Sequence, residues 1–214
     1  MSRIVLVHGF ATGIHFSVFR PAQGIDAGFS AFHSDIENGG VKAFRWDIKE
    51  EASFLQSLNP FYTLGVYDRE RAIAQRAETH HALHRFLEQE SPEVIICHSL
   101  GAFLFFQFLQ KETLPDSVRL IVFNQADIFA SEVFIPETVA KRIQSGALKI
   151  VNTYCPWDPN LLFSWILNGP RAGLTGMRHT LIEERFFPLV KPINLHMAAI
   201  RSARFRYLIE SLLA

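Results

Sequence analysis

Glu93-Val94-Ile95-Ile96-Cys97-His98-Ser99-Leu100-Gly101-Ala102 leads from four consecutive apolar residues, through a His-Ser pair, into the segment GAFLFFQFLQ at 101–110. An unbroken apolar run of strand length reads as a strand buried on both faces, which is the habit of parallel sheets. The following ten residues are apolar nearly all round, as expected of a helix at the centre of a molecule. Only a sharp turn separates the two, and Ser99 sits on it. A serine hydroxyl is a weak nucleophile in water. Catalysis needs it at a turn that a base can reach and where helix-start amides stabilise negative charge. The competing reading is a serine that merely caps the helix. Gly101 supplies a small residue where strand and helix must approach closely.

Working outward, short apolar runs alternate with longer helical patterns on both sides of this turn. Strands are predicted at 4–7, 41–44, 94–97, 120–123, 148–153 and 186–190, the last weakened by Pro188 and therefore suited to an edge. Residues 68–89 carry Ala72, Ile73, Ala77, Leu83, Phe86 and Leu87 at helical spacing, which predicts one long helix ended by Ser91 and Pro92. Residues 198–213 predict a closing amphipathic helix, with Arg201, Arg204 and Arg206 on its solvated face. Residues 156–176, rich in Pro, Gly and Asn, read as an irregular loop or small insertion near the site. The pattern is that of an α/β protein, a doubly wound and mainly parallel six-stranded sheet. At 214 residues the chain fits a single domain, 1–214.

Composition narrows the function classes. Lys plus Arg and Asp plus Glu each number 21, so no net field recruits nucleic acid or an acidic membrane surface. No apolar stretch approaches the roughly 20 residues of a membrane span. The apolar run at 4–7 is too short for a signal peptide, which points to the cytoplasm and to free thiols at Cys97 and Cys155. Twenty Phe residues support a packed core, with an apolar substrate pocket as the second reading.

The turn Cys97-His98-Ser99-Leu100-Gly101 resembles the nucleophile elbow of the α/β-hydrolase family, G-x-S-x-G, with Cys97 in place of the first glycine. Val7-His8-Gly9-Phe10, after the first strand, resembles the family's oxyanion turn. The resemblance covers nearly the whole chain from Ile4. It implies a minimal α/β-hydrolase fold lacking the first antiparallel hairpin, with strands paired 2-1-3-4-5-6 in chain order and the backbone amides of Phe10 and Leu100 forming the oxyanion hole. The alternative at Gly9 is a tight turn and nothing more.

The family order of nucleophile, acid, then histidine places the acid after a later strand and the base after the last. Asp158, in Tyr154-Cys-Pro-Trp-Asp-Pro159, is the first candidate acid, and Asp127, in Asn124-Gln-Ala-Asp127, is its competitor. Turn or cap formation is the alternative role for either. His196, between the last strand and the closing helix, is the candidate base, ahead of His179 and His98; its alternative is a surface histidine near a helix start. Phe10, Trp157 and Leu161 are candidate substrate-binding residues, with Phe16, Leu162, Phe163 and Trp165 near the same mouth. His80, His81 and His84 form H-H-x-x-H, but without the glutamate of H-E-x-x-H they read as an exposed helix face rather than metal ligands. The glycines of 168–176 follow no strand in the arrangement a phosphate cradle needs.

These readings imply a serine hydrolase acting on a small-molecule carboxylic ester or thioester with a small or apolar acyl group, and needing no cofactor. The alternative is a non-catalytic binding protein on the same fold. Neither the physiological substrate nor the oligomeric state is legible.

Overall fold

The computed structural model describes residues 4–9, 15–16, 30–46, 51–52, 60–188 and 200–213. Six strands form one sheet: β1 (Ile4–Val7), β3 (Val41–Phe44), β5 (Val94–His98), β6 (Leu120–Asn124), β7 (Lys149–Tyr154) and β8 (Glu183–Phe186). Two further strands of two residues each, β2 (His15–Phe16) and β4 (Glu51–Ala52), pair with one another. The order in the large sheet is β3-β1-β5-β6-β7-β8, and every pairing is parallel. Counted over the six strands, this is the predicted 2-1-3-4-5-6.

Alternation along the strands divides the core in two. Val5, Val7, Ile95, Cys97, Ile121 and Phe123 face one layer, where they meet α3 (Ala77–Glu90), α4 (Leu100–Lys111) and α5 (Glu137–Gln144). Ile4, Leu6, Val94, Ile96, Leu120 and Val122 face the other, against Phe32 and against Phe205 and Ile209 of the closing helix Ala203–Leu213. Both faces of the central strands are therefore dry, which explains why their sequences are continuous apolar runs rather than alternating ones. The fold is a doubly wound α/β sheet, parallel throughout its six strands.

Three elements differ from expectation. The predicted helix 68–89 is two helices, α2 (Pro60–Ala74) and α3, with Arg76 extended between them (φ −73°, ψ 140°). No Gly or Pro marks the break. The imidazole of buried His80 donates from Nε2 to the Ala74 carbonyl at 2.8 Å and so satisfies an end that α2 would otherwise leave open. The last strand lies at Glu183–Phe186, earlier than the predicted 186–190, whose residues 189–190 lie outside those described. An edge strand need not be apolar, and here polar side chains anchor it. Lys149 pairs with Glu183 at 2.8 Å, and Asn152 Nδ2 donates to Glu184 at 2.9 Å.

The third difference concerns 156–176. Instead of an irregular loop it contains α6 (Pro159–Asn168) and α7 (Ala172–Thr175), followed at the C-terminal end of the chain by α8 (Ala203–Leu213). The segment is zipped onto the turn after β6 by Ala172 N donating to Ile128 O at 2.8 Å and Gly173 N donating to Ala126 O at 2.9 Å. A Cβ at Gly173 would lie 2.5 Å from the Gln125 carbonyl carbon, so this close approach requires glycine. The Pro and Gly residues read as loop markers are here a helix start and a contact point.

Candidate active site

Parallel strands deliver their carboxyl ends to one edge of the sheet. The turns after β1, β5, β6 and β7 carry His8–Gly9, Ser99, Gln125 to Asp127 and Cys155 to Asp158 to that edge. The chain leaves β1 for β3 on one side and later returns to β5 on the other, so the strand order reverses between β1 and β5. This is the crevice where open α/β sheets receive ligands. Gly9 and Ser99 flank it.

Ser99 has φ 53° and ψ −121°, a conformation rarely tolerated by a residue with a side chain, at a cost of about 1–3 kcal/mol. Its side chain makes no capping hydrogen bond to α4, which counts against the helix-cap reading. The turn is held by Ser99 N donating to Asn124 O at 3.1 Å and Ala102 N donating to Ser99 O at 3.0 Å. Packing leaves no slack around it. A Cβ at Gly101 would collide with the His8 carbonyl oxygen and lie 2.5 Å from that of Val7, and one at Gly9 would lie 2.8 Å from Ser99 Cβ.

Cys97, by contrast, is an ordinary strand residue in register with Val7 and Phe123, its side chain in the core. Burial pushes its thiol well above the usual range. The elbow therefore needs glycine at 101 but not at 97. Leu100 opens α4, where the first amides have no intrahelical acceptor.

Asp158 is fully buried, and donors from Asn160, Leu161 and Gln125 converge on it. Its Oδ1 accepts the amides of Asn160 at 3.0 Å and Leu161 at 3.2 Å, capping α6, and Gln125 Nε2 donates to its Oδ2. The cap role foreseen as the alternative is thus real, and the carboxylate still stands at the edge shared with Ser99. Gln125, itself at φ 49°, joins a buried polar chain. Asn124 Nδ2 donates to Gln125 Oε1 at 3.2 Å and to His98 Nδ1 at 2.9 Å, while Thr153 Oγ1 donates to Asn124 Oδ1 at 2.8 Å. His98 is accordingly turned away into this chain.

Asp127, the competing acid, has both oxygens committed elsewhere. Oδ1 accepts Ser164 Oγ at 3.1 Å and pairs with Arg171 Nε at 3.0 Å, and Oδ2 accepts the Tyr67 hydroxyl at 2.7 Å. Burial, then the Asp127 charge, push the Tyr67 hydroxyl up to about 12. Neither Gln125 nor Arg171 was singled out from the sequence. The available signal for Gln125 was a set of three polar residues, Asn124, Gln125 and Asp127, at the end of an apolar strand.

Phe10 and His196, two of the five residues assigned to catalysis and the oxyanion hole, lie outside the described residues. Among the described residues no side chain hydrogen-bonds to the Ser99 hydroxyl. His8 donates from Nδ1 to the Gly9 carbonyl at 2.8 Å and stacks on Trp46, which leaves it a packing role. His179 accepts the Leu181 amide at 3.2 Å before the last strand. Of the mouth residues, Trp157 and Trp165 are exposed, with Trp157 edge-on to Phe186 at 5.4 Å. Leu161 is buried instead, and a Cβ at Gly173 would touch its Cδ1 at 2.5 Å. Leu162 is half-buried, and the side chains of Phe16 and Phe163 lie outside those described.

The histidine trio needs correction on one point. His81 Nε2 lies 3.2 Å from a Glu112 oxygen and His84 Nε2 3.3 Å from a Glu88 oxygen, but His80 is buried at the α2 end rather than on an exposed face. Among the described residues no group of three His, Cys, Asp or Glu side chains is placed to hold a metal. No described helix is long and apolar enough to cross a membrane.

No family model matches this sequence, and no curated protein matches it. Among solved structures, the chain is similar to a candidate hydrolase of the alpha/beta superfamily from Xanthomonas campestris pv. campestris, with 16% identity over 99% of both chains and a TM-score of 0.39.

Proposed function

We propose that this chain is a serine hydrolase that cleaves a carboxylic ester or thioester through an acyl-enzyme on Ser99. The observation that supports it most is the backbone of Ser99. A capping serine has extended torsions and bonds a helix amide, whereas Ser99 holds a strained conformation with its hydroxyl withheld from the helix. Strain of this kind persists where the surroundings enforce it, and the surroundings here are Gly9 and Gly101 pressed between two turns.

In this reading Ser99 Oγ attacks the substrate carbonyl while His196 takes its proton. The amides of Phe10 and Leu100 receive the oxyanion, and His196 returns the proton to the departing alcohol or thiol. Water then adds to the acyl-enzyme by the same route, and the acid leaves. Asp158 orients the imidazole. It is favoured over Asp127 because Asp127 is bound up with Arg171, Tyr67 and Ser164. The exposed Trp157 and Trp165 favour an apolar acyl group.

A fluorophosphonate probe tests the reading. Mass spectrometry is expected to find the adduct on Ser99, absent from Ser99→Ala and from His196→Ala. Turnover of p-nitrophenyl esters is expected to fall by about 10⁴-fold in kcat for Asp158→Asn and far less for Asp127→Asn. A folded protein that takes no label and turns over no ester in a short-to-long acyl series is a binding protein on a hydrolase fold, and the proposal fails.

A further inference from the structure

Arg171 is the largest fully buried side chain of the described core, and only one edge of its guanidinium is used. Nε faces Asp127 Oδ1 and Ser164 Oγ, both at 3.0 Å, whereas Nη1 and Nη2 are buried with no hydrogen-bond partner. A buried cation normally engages its whole fork, because each unpaired N–H forfeits its hydration. Asp127 does not supply the missing acceptors: it engages Nε alone, with Ser164 on the same oxygen and Tyr67 on the other.

The charged groups that act most strongly on the Tyr67 hydroxyl are Asp127, Arg171 and Arg71, so two guanidiniums and one carboxylate share this corner. Arg71 lies over Phe103 at 4.4 Å and over Phe129 at 5.0 Å, and Arg171 lies over Phe129 at 4.1 Å. Arg71 and Phe129 are half-buried, so the cluster reaches solvent on their side. It also adjoins the elbow: Asp127 N donates to Ser99 O at 3.2 Å, and Phe103 lies one turn along the helix that Ser99 starts.

We propose that Arg171, with Arg71, forms an anion subsite beside Ser99 that receives a carboxylate carried by the substrate. A planar carboxylate matches two parallel N–H donors of a guanidinium, and it would supply the acceptors that Nη1 and Nη2 lack. The inference rests on the serine-hydrolase reading for what the substrate is, and narrows it to half-esters of dicarboxylic acids or esters of similar charge. The anion-binding part stands by itself.

Two measurements separate those parts. Calorimetric titration of the intact chain with glutarate, with neutral dimethyl glutarate as control, requires no turnover. Glutarate is expected to bind and the diester not, with affinity falling about 10- to 100-fold in Arg171→Gln, the range for a charged hydrogen bond. Arg71→Gln, at a half-exposed position, gives the same readout at smaller amplitude if Arg171→Gln does not fold. In the second measurement, p-nitrophenyl half-esters of glutarate are expected to show KM about 10-fold or more below neutral esters of equal length, a preference lost in both variants. Absence of glutarate binding, or a preference that survives both substitutions, overturns the subsite. Binding of inorganic phosphate without binding of glutarate or half-esters also overturns it, in favour of a free-anion site. If glutarate binds as expected but no ester is hydrolysed, the hydrolase reading fails and the anion site stands.

Discussion

At the residue scale the elbow turns on two positions that look alike in a motif but face different surroundings. Gly101 lies against the carbonyl oxygens of His8 and Val7, backbone atoms that cannot swing aside, whereas Cys97 fills core space in a regular strand. Opposite outcomes follow for complementary substitutions. Gly101→Ala is expected to cost at least about 1–3 kcal/mol, the range for overpacking, and to disturb Ser99 enough to abolish probe labelling. Cys97→Gly is expected to lose about 1–3 kcal/mol through a core void and added chain entropy, yet to leave Ser99 labelling intact. Urea melts and adduct mass spectra of the two variants check the pair. The glycine-to-cysteine departure from G-x-S-x-G is thus a packing choice, made possible because position 97 has no need of unusual torsions.

Elements add a second layer, and the α2–α3 joint illustrates it. Burial favours the neutral form of His80 there, since a proton on Nδ1 would be buried without an acceptor while Nε2–H serves the Ala74 carbonyl. Burial lowers its pKa from the ordinary 6.5, ahead of the opposing effect of that hydrogen bond. The unfolded chain therefore binds the proton at a higher pH than the folded one, and stability rises with pH across the interval between the two values. The stabilisation is complete above about 6.5 and declines as pH falls from there toward the lower folded-state value. Thermal melts between pH 8 and pH 5 are expected to show a steeper acid-side loss for the parent than for His80→Gln, which keeps a donor but does not titrate. Parallel curves for the two proteins would contradict this account of the joint.

On the scale of the whole molecule, the two sides of the sheet are closed differently. One side is covered by α2 to α5, which follow in chain order around β5 and β6, whereas the other depends on α8 meeting Phe32 and Phe187 from distant segments. Phe205 is the keystone, fully buried and edge-on to both rings, at 6.4 Å and 5.8 Å. Phe205→Ala is expected to cost about 3–5 kcal/mol, read as a lower urea midpoint. Arg206→Ala, which removes the half-exposed pair to Asp35 at 2.6 Å, is expected to cost no more than about 1 kcal/mol, and less at high salt. The arginines of this helix therefore divide. Arg201 and Arg204 are exposed as expected, whereas Arg206 ties α8 to the helix His33–Glu37.

Local pattern was enough to establish the strands from 4–7 to 120–123, the buried central helix and the turn that carries Ser99, whereas the order of the sheet came from the resemblance. Each of the former rests on a run of neighbouring residues whose hydrophobic period survives folding unchanged. What tertiary structure alone decided is where polar groups find partners. The α2–α3 break depends on an imidazole reaching back six residues, and the placement of β8 on side chains from β7. Likewise, the binding of Asp127 to Arg171 and of Asp158 to Gln125 joins residues 44 and 33 positions apart. A buried polar atom takes whichever partner the fold brings within about 3 Å, and sequence spacing carries no record of that distance.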